Sequence, residues 1–467
     1  MSSTRSAYRL AYVRLSFQLK SVLTLISICA SLSIRVAAQQ PAAAPVPLVF
    51  DGVTVIDVQQ GRRLPAQRVV IVGNRIRAMG SGRTVQMPAG ARVVDAQGKY
   101  LIPGLWDLHV HPFHSTDVFY PLLIANGVTG MRDAGSPVPL DTLRLWRTEI
   151  LAGTRVGPPR QLFSGQAIAG PLEGCKRGYM NNYETCVADE ADARHLVDSL
   201  KAAGADMIKP RSVSRAMYFV IAAEARRIGI PFGGHAEEET AIEASDSGAS
   251  IIDHRQFKMG TKGLGVFCWG ARGTVEQCRP VAERFKQRGT WWVPTLIREV
   301  SEGFAPPAYA QRIFDRFTER ARAFWGGSPL HGNWLRDSAS SDTHHAAPGA
   351  MSIMHRVGLP ILAGTDTWIT QTDKVPPGFS LHAELAMYVA EGLTPLEALQ
   401  TATLNPAKFL RATDSLGTVA TGKLADLVLL DADPLADITN TTTVRAVVAN
   451  GRYYDRAALD SLLTDAR

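Results

Sequence analysis

The stretch IPGLWDLHVH, residues 102–111, opens on a Pro-Gly turn and closes on two histidines separated by one residue. A strand sends alternate side chains to opposite faces, so His109 and His111 point the same way if the segment is extended. Seven more short apolar segments follow: GVTGMRD (127–133), RQLFSG (160–165), ADMIKP (205–210), IPFGGH (230–235), SIIDH (250–254), TWWVPTL (290–296) and LPILAGTD (359–366). Helical patterns lie between them. Ser214 to Ile228 carries apolar residues at helical spacing and stops at Gly229, and Thr394-Pro395-Leu396-Glu397 has the form of a capping box with proline in the first turn. Eight strands alternating with helices over residues 102–412 predict an α/β chain built on parallel strands with right-handed crossovers, closed as a (β/α)8 TIM-type barrel. The segment from Leu296 to Leu359 is long for one connection and holds His331, His344 and His345. It reads as an active-site lid or a surface insertion.

Outside the barrel the texture changes. Residues 48–101 break into short β-rich runs such as VFDGVTVIDV and QRVVIVGNRIRAMG, and residues 413–467 repeat that pattern in LADLVLLDADP and TVRAVVANGRYYD. The two ends are predicted to build one small sheet domain together. Residues 39–47 are a Pro/Ala-rich linker.

The 467 residues are 46% hydrophobic and 20% charged, which gives a globular chain with a large core and excludes disorder, collagen and coiled coil. The net charge of +7 is concentrated at the start: Arg5, Arg9, Arg14, Lys20 and Arg35 fall in the first 38 residues, which hold no acid. Setting those five aside leaves 45 basic against 43 acidic residues, so no nucleic-acid partner is predicted. The uncharged run Ser21 to Ile34 and the small residues of Val36-Ala37-Ala38 read as a signal peptide over residues 1–38, hence a periplasmic or secreted protein with no stable membrane span after cleavage. An N-terminal membrane anchor is the other reading of that run. Four cysteines then remain, and sequence proximity favours Cys175 with Cys186 and Cys268 with Cys278 as disulfides, although four free thiols fit the sequence as well. Neither pair has the CxxC spacing of a zinc knuckle or redox dithiol.

Barrel enzymes assemble their sites at the C-terminal ends of the strands. His109 and His111 end the first strand, Lys209 the fourth, His235 the fifth, His254 the sixth and Asp366 the eighth. Four histidines and one aspartate converging in this way are hard to explain as packing and suit a metal centre. The chain has no GxSxG elbow, no GxxxxGK[ST] loop and no HExxH helix.

On these motifs, together with the tail LTPLEALQTATLNPAKFL and GTVATGKLADLVLLDADPL, the chain resembles the amidohydrolase superfamily, and within it the secreted imidazolonepropionase-like and prolidase-like metal-dependent hydrolases. The resemblance implies that the flanking β pieces form a composite β-sandwich. It assigns His109, His111 and Asp366 to one metal, His235 and His254 to a second, and Lys209 to a carboxylated lysine that bridges them. Two neighbouring divalent cations repel and need a shared anion; an ion pair of Lys209 with Glu237 or Asp253 is the competing reading. The implied activity is hydrolysis of an amide or peptide C–N bond, in a dipeptide or N-acyl amino acid, by a hydroxide bridging two metals. Asp366 is the catalytic acid/base. Zinc is the expected metal, with manganese, cobalt and iron also compatible. Arg211, Glu237, Arg255 and Trp368 are the substrate-binding candidates, the two arginines as a carboxylate clamp; Arg255 stands where relatives commonly have glycine. The expected partner is a small-molecule substrate. His382 is expected to be structural or supporting, and His114, His331, His344 and His345 are left outside the ligand set. The alternatives are a mononuclear cyclic-amide hydrolase or deaminase, a lactonase or esterase, and a non-catalytic binding scaffold. The oligomeric state is left open.

Overall fold

The computed structural model describes residues 45–113, 116–171, 180–181, 183–236, 241–254, 275–301, 350–368 and 376–465. The signal-peptide and anchor readings, Cys175, Cys268, Glu237, Arg255 and most of the 296–359 connection lie outside them. Among the described residues no helix is long and apolar enough to cross a membrane.

Both chain ends meet in one mixed sheet of eight strands. Its order is Arg452–Tyr454, Val444–Ala449, Leu427–Leu430, Tyr100–Pro103, Leu48–Asp57, Arg62–Val72 and Arg75–Ser81, with Arg92–Asp95 beside Leu48–Asp57. The joint between the ends is the antiparallel pairing of Leu427–Leu430 with Tyr100–Pro103, in which Leu429 faces Leu101. Phe50, Leu101, Leu427, Leu429 and Val448 form an apolar layer within this domain. Ile102, Val428 and Val447 belong instead to the large core shared with the barrel, so the sheet is welded to the barrel by burial on its other side.

The barrel closes through backbone hydrogen bonds between all eight predicted segments. Leu105–His111, Val128–Asp133 and Arg160–Phe163 pair in parallel, and Asp206 N donates to Phe163 O at 2.7 Å. Ile208 N then donates to Pro231 O, Gly233–Gly234 pairs with Ile251–Asp253, and that strand pairs with Trp291–Val293. Leu362 N donates to Trp292 O, and Leu108 N donates to Ala363 O at 2.8 Å to complete the ring. Trp106, Leu108, Met207, Ile251, Val293 and Leu362 pack together inside it. At ~1.5–3 kcal/mol for each fully buried large apolar side chain, that plug contributes substantially to holding the strands in register. The helices form as the local signals predict: Arg215–Ile228 has Ser214 as N-cap and Gly229 in the left-handed region, and the Thr394/Glu397 capping box is fully made.

One departure from simple alternation matters. Trp106 and Leu108 face the barrel interior, so strict alternation would turn His109 and His111 outward. The pairing register with Val128–Asp133 shifts between Asp107 and Val110, and a one-residue slip exchanges the two faces. Both the apolar plug and the histidines therefore reach the barrel axis from one strand.

Candidate metal centre

Asp366 lies at the middle of the site. Its Oδ1 is 3.3 Å from His109 Nε2 and 3.2 Å from His111 Nε2, and its Oδ2 is 3.9 Å from His254 Nδ1. One ligand-type atom from each of His109, His254 and Asp366 falls within 4.8 Å of the others. His235 joins through His254, their Nε2 atoms being 3.1 Å apart. The sequence-predicted histidines and Asp366 thus converge as one cluster. His109, His111 and Asp366 are buried, and His235 and His254 are half-buried at the rim.

The outer ring nitrogens explain the orientation. His111 Nδ1 is 3.0 Å from Gly135 O, His109 Nδ1 is 3.3 Å from Asp253 Oδ1, and His254 Nδ1 is 2.8 Å from Thr295 Oγ1. A carbonyl or carboxylate beside Nδ1, as at His111 and His109, can accept its N–H and fix the orientation of the ring. Burial holds all four imidazoles below the ordinary histidine range, hence neutral. Burial pushes the Asp366 carboxyl up, but the facing His109 and His254 and the His111 hydrogen bond outweigh it and keep the group ionised. Neutral imidazoles gathered around one carboxylate fit a divalent cation.

Lys209 is fully buried, with Nζ 2.7 Å from Asp253 Oδ2 and 3.5 Å from His109 Nε2. Asp253 also takes Arg132 Nη2 at 2.5 Å, so one carboxylate is neutralised from two sides. The structure therefore shows the ion pair with Asp253 that the sequence offered as the competing reading, at the position expected for a bridging group. Burial lowers the lysine's affinity for its proton, partly offset by Asp253.

The backbone is bent for this purpose. Among the described residues, Phe113, Ser212, His254, Thr295 and Asp366 are non-glycine residues with φ between 48° and 66°, each at or just beyond the end of a barrel strand. Such strain collects where the surroundings impose a functional geometry. Two glycines supply close approaches. A Cβ on Gly364 would meet Val293 Cγ1 at 2.4 Å, and one on Gly234 would meet Lys209 Cδ at 2.6 Å. The glycines of LAGTD and PFGGH thus clear space for Val293 of the seventh strand and for Lys209.

The substrate candidates fare unevenly. Arg211 pairs with Glu184 and stacks 5.2 Å over the Tyr183 ring, which in turn packs against His111 and Phe113. Trp368 lies two residues after Asp366 in a short strand paired with His111. His382 is buried, its Nδ1 3.0 Å from Thr441 Oγ1, and is structural. Cys186 is disulfide-bonded. Sequence reading missed Arg132, Asp107, Thr295 and Arg298, and named Asp253 only as a partner for the lysine. Arg132 and Asp253 carried a signal, since each is a charged residue in a barrel-strand motif.

The fold recurs in known proteins. The chain superposes on the crystal structure of a putative prolidase from Bifidobacterium longum with a TM-score of 0.66 at 23% identity, covering 91% of this chain and 99% of that one. The sequence signature of the amidohydrolase family matches residues 335–453. Over these C-terminal residues the chain is similar to the amidohydrolase family. An adenine deaminase of Rubrobacter xylanophilus is 26% identical over 437 residues, 87% of this chain and 58% of its own length. An imidazolonepropionase of Pyrobaculum arsenaticum is 44% identical over 82 residues, 17% of this chain and 18% of its own. The chain thus spans little more than half the length of the adenine deaminase it matches.

Proposed function

We propose that this chain is a metal-dependent hydrolase of an amide or peptide C–N bond in a small substrate, a dipeptide or N-acyl amino acid. The observation that carries the proposal is the convergence of four histidines on Asp366 beside a buried lysine. The prolidase-type fold and the imidazolonepropionase segment are consistent with C–N hydrolysis. His109, His111 and Asp366 would hold one ion, His235 and His254 a second, with zinc the metal best suited to imidazole donors. Bound divalent cations acidify water and polarise a carbonyl.

The chain's own residues then do the following. Asp366, kept ionised, accepts a proton from the attacking water and delivers it to the departing nitrogen. His111, Phe113 and Tyr183 form an aromatic wall on one side of the reaction space. Lys209 Nζ, once neutral, adds to carbon dioxide with formation of an N–C bond and release of one proton, and the resulting carbamate replaces the amine as an anionic donor. Asp253, itself held by Arg132, accepts a hydrogen bond from Lys209 Nζ and positions it. Export to the periplasm or medium is part of the proposal, supported by the leader pattern and by the disulfide at Cys186.

A mononuclear deaminase or cyclic-amide hydrolase is the second reading. It draws on the adenine deaminase similarity over most of this chain, on the three-residue cluster of His109, His254 and Asp366, and on the Lys209–Asp253 pair. Steady-state assays with zinc- or manganese-loaded protein separate the two. Release of free amino acid from dipeptides or N-acyl amino acids supports the first, and ammonia release from adenine with no peptide turnover replaces it with the second.

A further inference from the structure

The seventh barrel strand, Trp291–Val293, and the turn after it supply none of the ligands assigned above, yet they hold His254 at both its backbone and its ring. His254 N donates to Val293 O at 2.7 Å, and Trp292 Nε1 donates to His254 O at 2.9 Å. Thr295 Oγ1 lies 2.8 Å from His254 Nδ1. The orientation of this imidazole therefore depends on where the turn places Thr295.

Thr295 reaches the ring through an unfavourable backbone. It is buried and β-branched, and its φ of 50° is in the left-handed region that such residues avoid. A conformation of this kind persists where the surroundings impose it. The imposing group is Glu384, fully buried on the helix Phe379–Ala390. Its Oε1 accepts Leu296 N at 2.8 Å and its Oε2 accepts Ile297 N at 2.6 Å. These two residues directly follow Thr295, and they open the helix Leu296–Ser301, where no earlier helical turn offers their N–H groups a carbonyl. Two acceptors aimed at consecutive N–H groups fix the direction of the chain as well as its position. A carboxylate suits the pair better than an amide, which presents one oxygen and one NH2.

We infer that Glu384 is a positioning residue for the metal centre: it sets the strained turn at Thr295, and Thr295 sets the imidazole of His254. The inference rests on the metal-dependent reading for its consequence, but its geometry is tested without metal. Crystal structures of metal-free wild-type, Glu384→Ala and Glu384→Gln proteins give the Thr295–His254 contact. Calorimetric titration with zinc of these three proteins and of Thr295→Val and Thr295→Ser gives the affinity. The contact should part in Glu384→Ala. Affinity for the ion that His254 holds should fall about 10- to 100-fold in Glu384→Ala and in Thr295→Val, and by less in Glu384→Gln and Thr295→Ser. Because the two residues act in series, the double variant Glu384→Ala/Thr295→Val should lose no more than the weaker-binding single variant. Thr295→Val keeps the β-branched shape, so it tests the link in a folded protein even if Glu384→Ala does not fold. Wild-type zinc affinity in Thr295→Val, or an intact contact in Glu384→Ala, overturns the inference. A wild-type protein that binds no zinc, with the contact parted in Glu384→Ala, would sink the metal-dependent reading and leave the positioning of His254 by Glu384 standing.

Discussion

Thr365 gives both of its donors to Asp107: its backbone N–H meets Oδ1 at 3.0 Å and its hydroxyl meets Oδ2 at 2.7 Å. The same carboxylate accepts His109 N at 3.2 Å, and all of it is buried. Asp107 thus ties the slipped register of the first strand, which turns His109 inward, to the residue preceding Asp366. Replacing Asp107 with Ala strands two buried N–H groups, at roughly 1–3 kcal/mol each, and should weaken metal binding about 10- to 100-fold through misplaced ligands. Asp107→Asn, which keeps the shape, should lose less of both. Urea denaturation and metal titration give the two readings; unchanged metal affinity in the alanine variant would refute the clamp.

Lys209 carries the bridging assignment. Lys209→Ala should cut hydrolysis by on the order of a hundredfold or more, with partial recovery when a short carboxylic acid is added to take the carbamate's place. Activity at the wild-type level in this variant excludes a bridging role.

Glu384 predicts a pH effect on stability. Burial raises its carboxyl to about 8, above the ordinary 4.5. The folded state therefore holds the proton more tightly than the unfolded state. This contribution is complete below about pH 4.5 and is lost as pH rises through 8, at a limiting slope of about 1.4 kcal/mol per pH unit. Glu384→Gln should remove that loss, so its stability relative to wild type should improve between pH 5 and 8.5. Parallel denaturation curves for the two proteins across that range would contradict the assignment.

His382 predicts the opposite slope. Burial lowers it to about 4 from 6.5, so the unfolded chain takes up a proton that the folded chain refuses. Its contribution is present above pH 6.5 and is lost as pH falls towards 4, worth up to about 3 kcal/mol in all. His382→Gln should flatten the acid limb of the thermal-stability profile in that interval. An acid limb as steep as that of wild type would exclude His382 as its source.

Much of this was readable from single residues. Strand ends locate His109, His111, Lys209, His235, His254 and Asp366 because a barrel collects those ends on one face, and the PFGGH and LAGTD glycines lie where close approach demands them. The strand slip at His109 was not readable. The spacing of His109 and His111 correctly puts both on one side, but which side depends on a register set by Asp107 and Thr365, far apart in sequence. Arg298 was missed for the same reason: nothing in TLIREV shows that Glu384 fixes its helix against Asp366. The choice of Arg211 as a clamp overlooked Glu184, which becomes its neighbour only through the fold.

The most direct test of the central claim is elemental analysis of mature protein purified without chelator or histidine tag, in parallel with the His109→Ala/His111→Ala double variant. The account predicts two equivalents of divalent metal per chain in the wild-type protein and a marked loss in a still-folded double variant. One equivalent in the wild type, or two retained in the double variant, would contradict it.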